Sequence, residues 1–229
     1  MILTPEEGQA LLLSLRIAGT ATFWGMIAAT ACAWLLARTR FPGRVLVDAL
    51  LHAPLILPPV VIGFVLLIVF GTQGPVGRWL DQAFGIRLAF TAGGAALAAG
   101  VSAFPLMLRA VRLSIEAVDP KLEEAARSLG AGPWDRAFTI VLPLAWPGLV
   151  AGAVIGFAAA LGEFGAVITF AASIPGETQT LPLAIYAALQ VPDGEGAAAR
   201  LSAIAFVAAL AGLLLSELLL RIGRRRAGA

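Results

Sequence analysis

The stretch VDPKLEEAARSLGAGPWDRAFTIVLPLAWPG, residues 118–148, gathers charge that its flanks lack: residues 88–108 before it and 137–161, where it ends, hold no charged side chain. It reads as helix, turn, helix. Asp119 is placed to cap a first helix over about 120–129. Pro120 lies in its opening turn, Glu123 and Glu124 stand near its positive end, and Arg127 lies nearer its negative end. Gly130 and Gly132 bracket Ala131, a sequence able to take the positive φ that ends a helix, and Pro133 suits the first turn of the next. Ala125, Ala126 and Leu129 form a small apolar face. As physics alone, this elbow is either a docking surface for another protein or an amphipathic segment lying on a membrane.

Outward from the elbow the chain is apolar. A hydrocarbon core about 30 Å thick takes about 20 residues of helix at 1.5 Å each. Five runs meet that length: 17–37, 49–70 with His52 as its one titratable residue, 88–108, 137–161, and 201–220 with one acid, Glu217. With 59% apolar and 13% charged residues, far from soluble averages, the chain has lipid as its main solvent. The fold class expected is an all-α membrane protein of about five transmembrane helices in one domain, 10–222, with the elbow at 118–143 on its cytoplasmic side.

Charge sets the orientation. Arg38, Arg40 and Arg44, then Arg109, Arg112, Lys121, Arg127 and Arg136, then Arg221, Arg224, Arg225 and Arg226 fall in alternate connections. The others hold Arg16, Arg78, Arg87 and Arg200 together with Glu6, Glu7, Asp81, Glu177, Asp193 and Glu195. The positive-inside rule then places the N-terminus outside and the C-terminus in the cytoplasm. Glu6 and Glu7 stand where a secretory signal would be positive, so the first run is expected to be retained. A sixth crossing would have to fit within 163–192, where Pro175, Gly176 and Pro182 favour a re-entrant or broken helix at the outer side.

Several function classes drop out. A net charge of +2 without a basic stripe argues against a nucleic-acid partner. Cys32 has no second cysteine to pair with, and one cysteine and one histidine, in different runs, supply no zinc or haem site. His52 reads as a satisfied helix-end histidine. The lone lysine, Lys121, lies between Pro120 and Leu122 rather than at the end of a glycine-rich phosphate loop, so any ATP hydrolysis belongs to a separate protein. No cofactor is expected. Glu163 and Glu217 are isolated, which argues against an intramembrane enzyme.

Glu124-Ala125-Ala126, three residues, Gly130, nine residues, then Ile140, Val141, Leu142 and Pro143 match at full spacing the EAA motif of ABC importer permeases. The resemblance extends over most of the chain. HAPLILPPVVIGF from His52, AFPLMLRAVRLSIEAVDPKLEEAARSLGAG from Ala103, LGEFGAVITF from Leu161 and IPGETQTLPLAIY from Ile174 look closest to the molybdate permeases, with tungstate or sulfate and thiosulfate as alternative cargo. It implies that Glu124, Ala125, Ala126, Leu129, Gly130, Ile140, Leu142 and Pro143 belong to a coupling helix and elbow seated in a cleft of an ATPase. It also implies a homodimer with a second permease copy, two cytoplasmic ABC ATPase subunits, and a periplasmic or extracellular oxyanion-binding protein that carries the selectivity. A membrane scaffold without transport would have no reason to keep the full docking motif.

Proline and glycine cluster in the runs, and Pro58, Pro59, Gly162, Glu163 and Gly165 are the candidates for a pathway or gate. An acid between two apolar stretches is costly unless paired or wetted. Glu163 either fixes a bend at Gly162 and Gly165 that shapes the pathway, or sits at an outer helix end bonded to backbone donors or to Arg200. With no cation beside it in sequence, it is not expected to bind an oxyanion directly.

Overall fold

The computed structural model describes residues 4–226. Its helices are α1 (Pro5–Arg38), α2 (Arg44–His52), α3 (Pro59–Phe70), α4 (Pro75–Phe84), α5 (Ala92–Glu116), α6 (Pro120–Ser128), α7 (Pro133–Arg136), α8 (Leu142–Leu144), α9 (Trp146–Leu161), α10 (Gly165–Ala171), α11 (Leu181–Leu189) and α12 (Glu195–Arg226). No strand occurs among the described residues.

Three helices are long and apolar enough to cross a bilayer unaided: α1, α5, and α12 over Glu195–Gly212. The other two expected crossings are not straight. Residues 44–55 and 59–70 meet at 113°, and 133–144 and 146–161 at 68°. The first break has Pro58 in an extended conformation (φ −55°, ψ 135°) directly before Pro59, because a residue preceding proline is forced out of the helical region. The second follows a π-helical turn, Ala137–Val141, and lies between Pro143 and Pro147, neither of which can donate to the helix ladder. Runs 49–70 and 137–161 are therefore bent pairs rather than continuous spans; uncharged composition is blind to the missing amide donors.

Helix α5 is the axis of the bundle, packed by α1, α9, α10 and α3. Met107, Leu108, Val111 and Ile115 on it are fully buried. Small residues permit this closeness: a Cβ at Gly25 of α1 or at Gly156 of α9 would run into Met107 from either side, and one at Gly148 would collide with Ser114. At the outer edge, Ser14 of α1 accepts from the Leu181 amide at the start of α11 (2.7 Å), and Arg200 of α12 pairs with Glu7 of α1 (3.0 Å). The side chains of Glu217 and of Arg221 to Arg226 lie outside the described residues.

Candidate functional site

The candidate gate residues meet where two helix breaks coincide. Helix α9 climbs α5 from Ser114, beside Gly148, to Met107, beside Gly156, and ends at Leu161, five residues and about 7.5 Å farther on. Helix α10 then resumes toward the far end of α5, where the Phe170 carbonyl accepts from Phe90 (3.3 Å). The interruption 162–164 thus lies partway along the bundle. Glu163 is not at an outer helix end, and Arg200 is engaged with Glu7 rather than with it.

The half-buried Glu163 carboxylate accepts from the Ala166 amide (2.9 Å), so it satisfies a backbone donor at the opening turn of α10. Gly165, the first residue of α10, lies directly against Pro59, the first of α3: a Cβ on Gly165 would come 2.7 Å from the Pro59 Cβ. One turn on, a Cβ at Gly63 would come 2.6 Å from the Thr169 Cβ and 2.7 Å from the Ala166 carbonyl. The starts of α3 and α10 are consequently locked backbone to backbone at the two breaks. Pro58 and Gly162, both exposed, precede them at the two breaks. Phe164 in the break packs on Tyr186 of α11 with ring centroids 5.1 Å apart. Gly63 was read from sequence only as one of the clustered prolines and glycines that allow close helix contact, and Thr169 was not singled out; the PPVVIG spacing, which puts a glycine one turn beyond the prolines, was the available signal.

The far side of this junction is held by an irregular turn. Ala172 has φ 59° and ψ −169°, a region that L side chains rarely enter. Thr178, fully buried, donates to the Ala172 carbonyl (3.1 Å) and accepts from the Ile174 amide (2.9 Å).

At the other end of the bundle, the elbow projects. Asp119 caps α6 by accepting from the Lys121 amide (2.9 Å). The helix closes with Ala131 N–H bonded to the Ala126 carbonyl (3.0 Å), while Gly130 takes φ +90°. Gly132 is extended and leads into α7. Glu124, Ala125 and Leu129 point away from the bundle, Leu129 with 90% of its surface exposed, whereas Ala126 is half-buried on the inward side with Glu123. Trp134 and Phe138, stacked at 6.2 Å, are exposed beside them. Ile140 and Leu142 are half-buried in and after the π-helical turn, and Pro143 is exposed at the bend.

Ion pairs knit the helix ends on this side. Arg112 of α5 reaches both carboxylate oxygens of Asp48 on α2 (2.9 Å each) and Glu116 (2.8 Å). His52 Nδ1 lies 3.1 Å from Asp48 as well, a partner for the histidine at the end of α2. Arg38, the last residue of α1, joins Glu123 of α6 (2.9 Å) and donates to the Ile115 carbonyl of α5 (3.0 Å). A groove of about 1700 Å³ between α1, α9 and α12 is lined by uncharged, mostly apolar side chains such as Phe23, Trp34, Val150 and Phe157.

Residues 21–227 match the family of binding-protein-dependent transport system inner membrane components. The chain is 54% identical over 228 residues to the molybdenum transport system permease protein ModB of Escherichia coli (strain K12), covering all of both chains. It is 49% identical to the ModB of Haemophilus influenzae over 97% of each chain. The sulfate transport system permease protein CysT of E. coli is 37% identical, matching all of this chain and 82% of its own. Among solved structures, a bacterial ABC transporter importing alginate aligns with a TM-score of 0.73 at 18% identity, over 97% of this chain and 80% of that one. The inward-facing methionine transporter MetNI aligns at 0.72 and 17%, over 96% and 99%. At those identities the structures speak for the fold alone.

Proposed function

Because the chain belongs to the family of binding-protein-dependent transport system inner membrane components, it is the multi-pass inner-membrane permease subunit of an ABC importer, and we propose that its cargo is molybdate. Full-length identity of 54% to a molybdenum permease, against 37% to a sulfate permease, carries this reading of the cargo. The subunit transports and does not hydrolyse ATP; hydrolysis belongs to a partner.

The assembly is a homodimer over two ATPase subunits, with an oxyanion-binding protein on the outer side. A pathway between two copies suits a subunit whose α3 leaves Val60, Phe64 and Ile68 uncovered. The N-terminus is outside and the C-terminus inside. The single permease domain, 10–222, contacts the ATPase through its coupling loop, 118–143, where Leu122, Leu129 and Trp134 offer apolar contact. Glu124, Ala125, Ala126 and Gly130 shape the seated helix, and Ile140, Leu142 and Pro143 form the bend that links it to α9.

Alternating access then follows. ATP closes the ATPase pair, the elbows carry the displacement to α5 and α9, and the locked starts of α3 and α10 move as one piece on hinges at Pro58 and Gly162. Pro59, Glu163 and Gly165 form the gate. Among the described residues no cation stands at this junction, which favours selection by the binding protein before entry.

Mass spectrometry of metal accumulated by cells that lack their own uptake systems, and that carry this permease with its ATPase and binding protein, tests the cargo. Molybdenum uptake that resists excess sulfate is the expected result. Uptake of sulfate or tungstate in its place overturns the cargo and leaves family membership intact.

A further inference from the structure

We infer that the ion pair between Arg38 and Glu123 is the strut through which the coupling helix moves the membrane bundle, an inference that rests on the function proposed above. Helix α6 is joined to α5 by only Ala117, Val118 and Asp119, and its outward residues Leu122, Ala125 and Leu129 are exposed. Glu123 faces the other way. Its carboxylate meets Arg38 at 2.9 Å, and the same guanidinium nitrogen donates to the Ile115 carbonyl at 3.0 Å. One side chain therefore ties together the ends of α1 and α5 and the coupling helix.

Among the described residues this is the one ion pair that reaches α6. Its side chains are 18% and 17% exposed, so water screens it less than a surface pair, and removing either partner strands a half-buried charge. The Arg38 Nε is buried without an acceptor. An unsatisfied donor raises the free energy of the arrangement that holds it. That cost falls on the guanidinium itself, while the two bonds made by its terminal nitrogen hold α6 to α1 and α5 so that the three move together.

Without the pair, α6 would swing on its three-residue linker and ATP would be spent without moving cargo. The test uses the complex of permease, ATPase and binding protein in proteoliposomes, with Arg38→Gln, Glu123→Gln and the double variant. Each single substitution is expected to lower molybdate delivered per ATP hydrolysed by roughly fivefold or more, the lower end of typical coupling energies. The double variant should be no worse than the poorer single one, as for partners in one interaction. A merely structural role would reduce recovered complex, uptake and hydrolysis together and leave the ratio unchanged; that result, or additive losses, overturns the strut. Should Arg38→Gln prevent assembly, Glu123→Gln carries the test alone. A second readout needs no cargo: spin labels at Trp24→Cys and Ser128→Cys, in a Cys32→Ala background, report the distance from α1 to the end of α6. Nucleotide should leave that distance unchanged in the otherwise native permease and shift it in Glu123→Gln, and equal behaviour of the two overturns the strut. A native permease that keeps this distance fixed yet moves no oxyanion overturns the proposed function and leaves the strut standing.

Discussion

Glu163 and Gly165 are two residues apart in sequence and have different physical tasks. The Glu163 carboxylate accepts from the Ala166 amide at the start of α10, an interaction of the kind that contributes about 1 kcal/mol at helix starts. Glu163→Gln keeps an acceptor and removes the charge, so we expect complex recovered in detergent at native yield but uptake reduced severalfold; native uptake would exclude a role for the carboxylate in the gate. Gly165 acts by lacking a side chain. An alanine there would bring its Cβ to 2.7 Å from Pro59, which must then give way, at about 1 to 3 kcal/mol for overpacking of this kind. At Gly162 the same substitution meets nothing nearer than the Ala158 carbonyl at 3.7 Å. Uptake rates for Gly165→Ala and Gly162→Ala, measured side by side, should show by far the larger loss at Gly165. Equal losses would mean that the contact between α3 and α10 is not what the gate depends on. From sequence the two glycines were indistinguishable, because the difference lies in a partner more than 100 positions away.

At the scale of elements, the elbow was legible because its signals are local. Asp119, Pro120, Gly130 and Pro133 each dictate their own backbone, and α6 begins at Pro120 and ends one residue short of the expected 129. The expected face of Ala125, Ala126 and Leu129 divides, with Ala126 turned inward, since helical spacing says which residues share a face but not how a three-residue linker rotates it. Hydropathy found the runs around 49–70 and 137–161, and the prolines clustered in them marked where they kink but not that the bends reach 113° and 68°; Glu163 was assigned to a break whose depth no local pattern encodes. Gly130 lets the elbow itself be tested. Its φ of +90° strains any β-branched side chain by about 1 to 2 kcal/mol, although no atom lies within 4 Å of an added Cβ. Gly130→Val is expected to reorient the end of α6 and weaken recovery of the ATPase with the permease, read as their ratio after affinity purification. An unchanged ratio together with unchanged uptake would count against the elbow as the coupling element.

For the whole molecule, orientation decides whether the elbow can meet a cytoplasmic ATPase at all. The basic residues supply the argument: those of the segments 38–44 and 109–136 lie at the same end of the bundle, where Arg38 touches α6 and Arg112 touches α2. The segments assigned to the opposite end hold only Arg16, Arg78, Arg87 and Arg200, and the last two are paired with Asp81 and Glu7. Moving such cations across a bilayer is costly, and the positive-inside rule reflects this bias. A chain that begins outside and crosses five times must end inside, a parity that requires residues 44–70 to cross once and residues 133–171, through α9 and then α10, to cross once. In a Cys32→Ala background, a cysteine at Gln73, in the turn after α3, should be labelled in intact spheroplasts by a maleimide that cannot cross the membrane. A cysteine at Ser128, at the end of α6, should react only after the membrane is opened. Reversal of the two would put the elbow outside, beyond reach of any ATPase that draws on cytoplasmic ATP, and would remove the coupling role of α6 together with the strut at Arg38. Labelling of both positions from outside would break the five-crossing parity instead, and would trace the error to α5, the crossing that separates them.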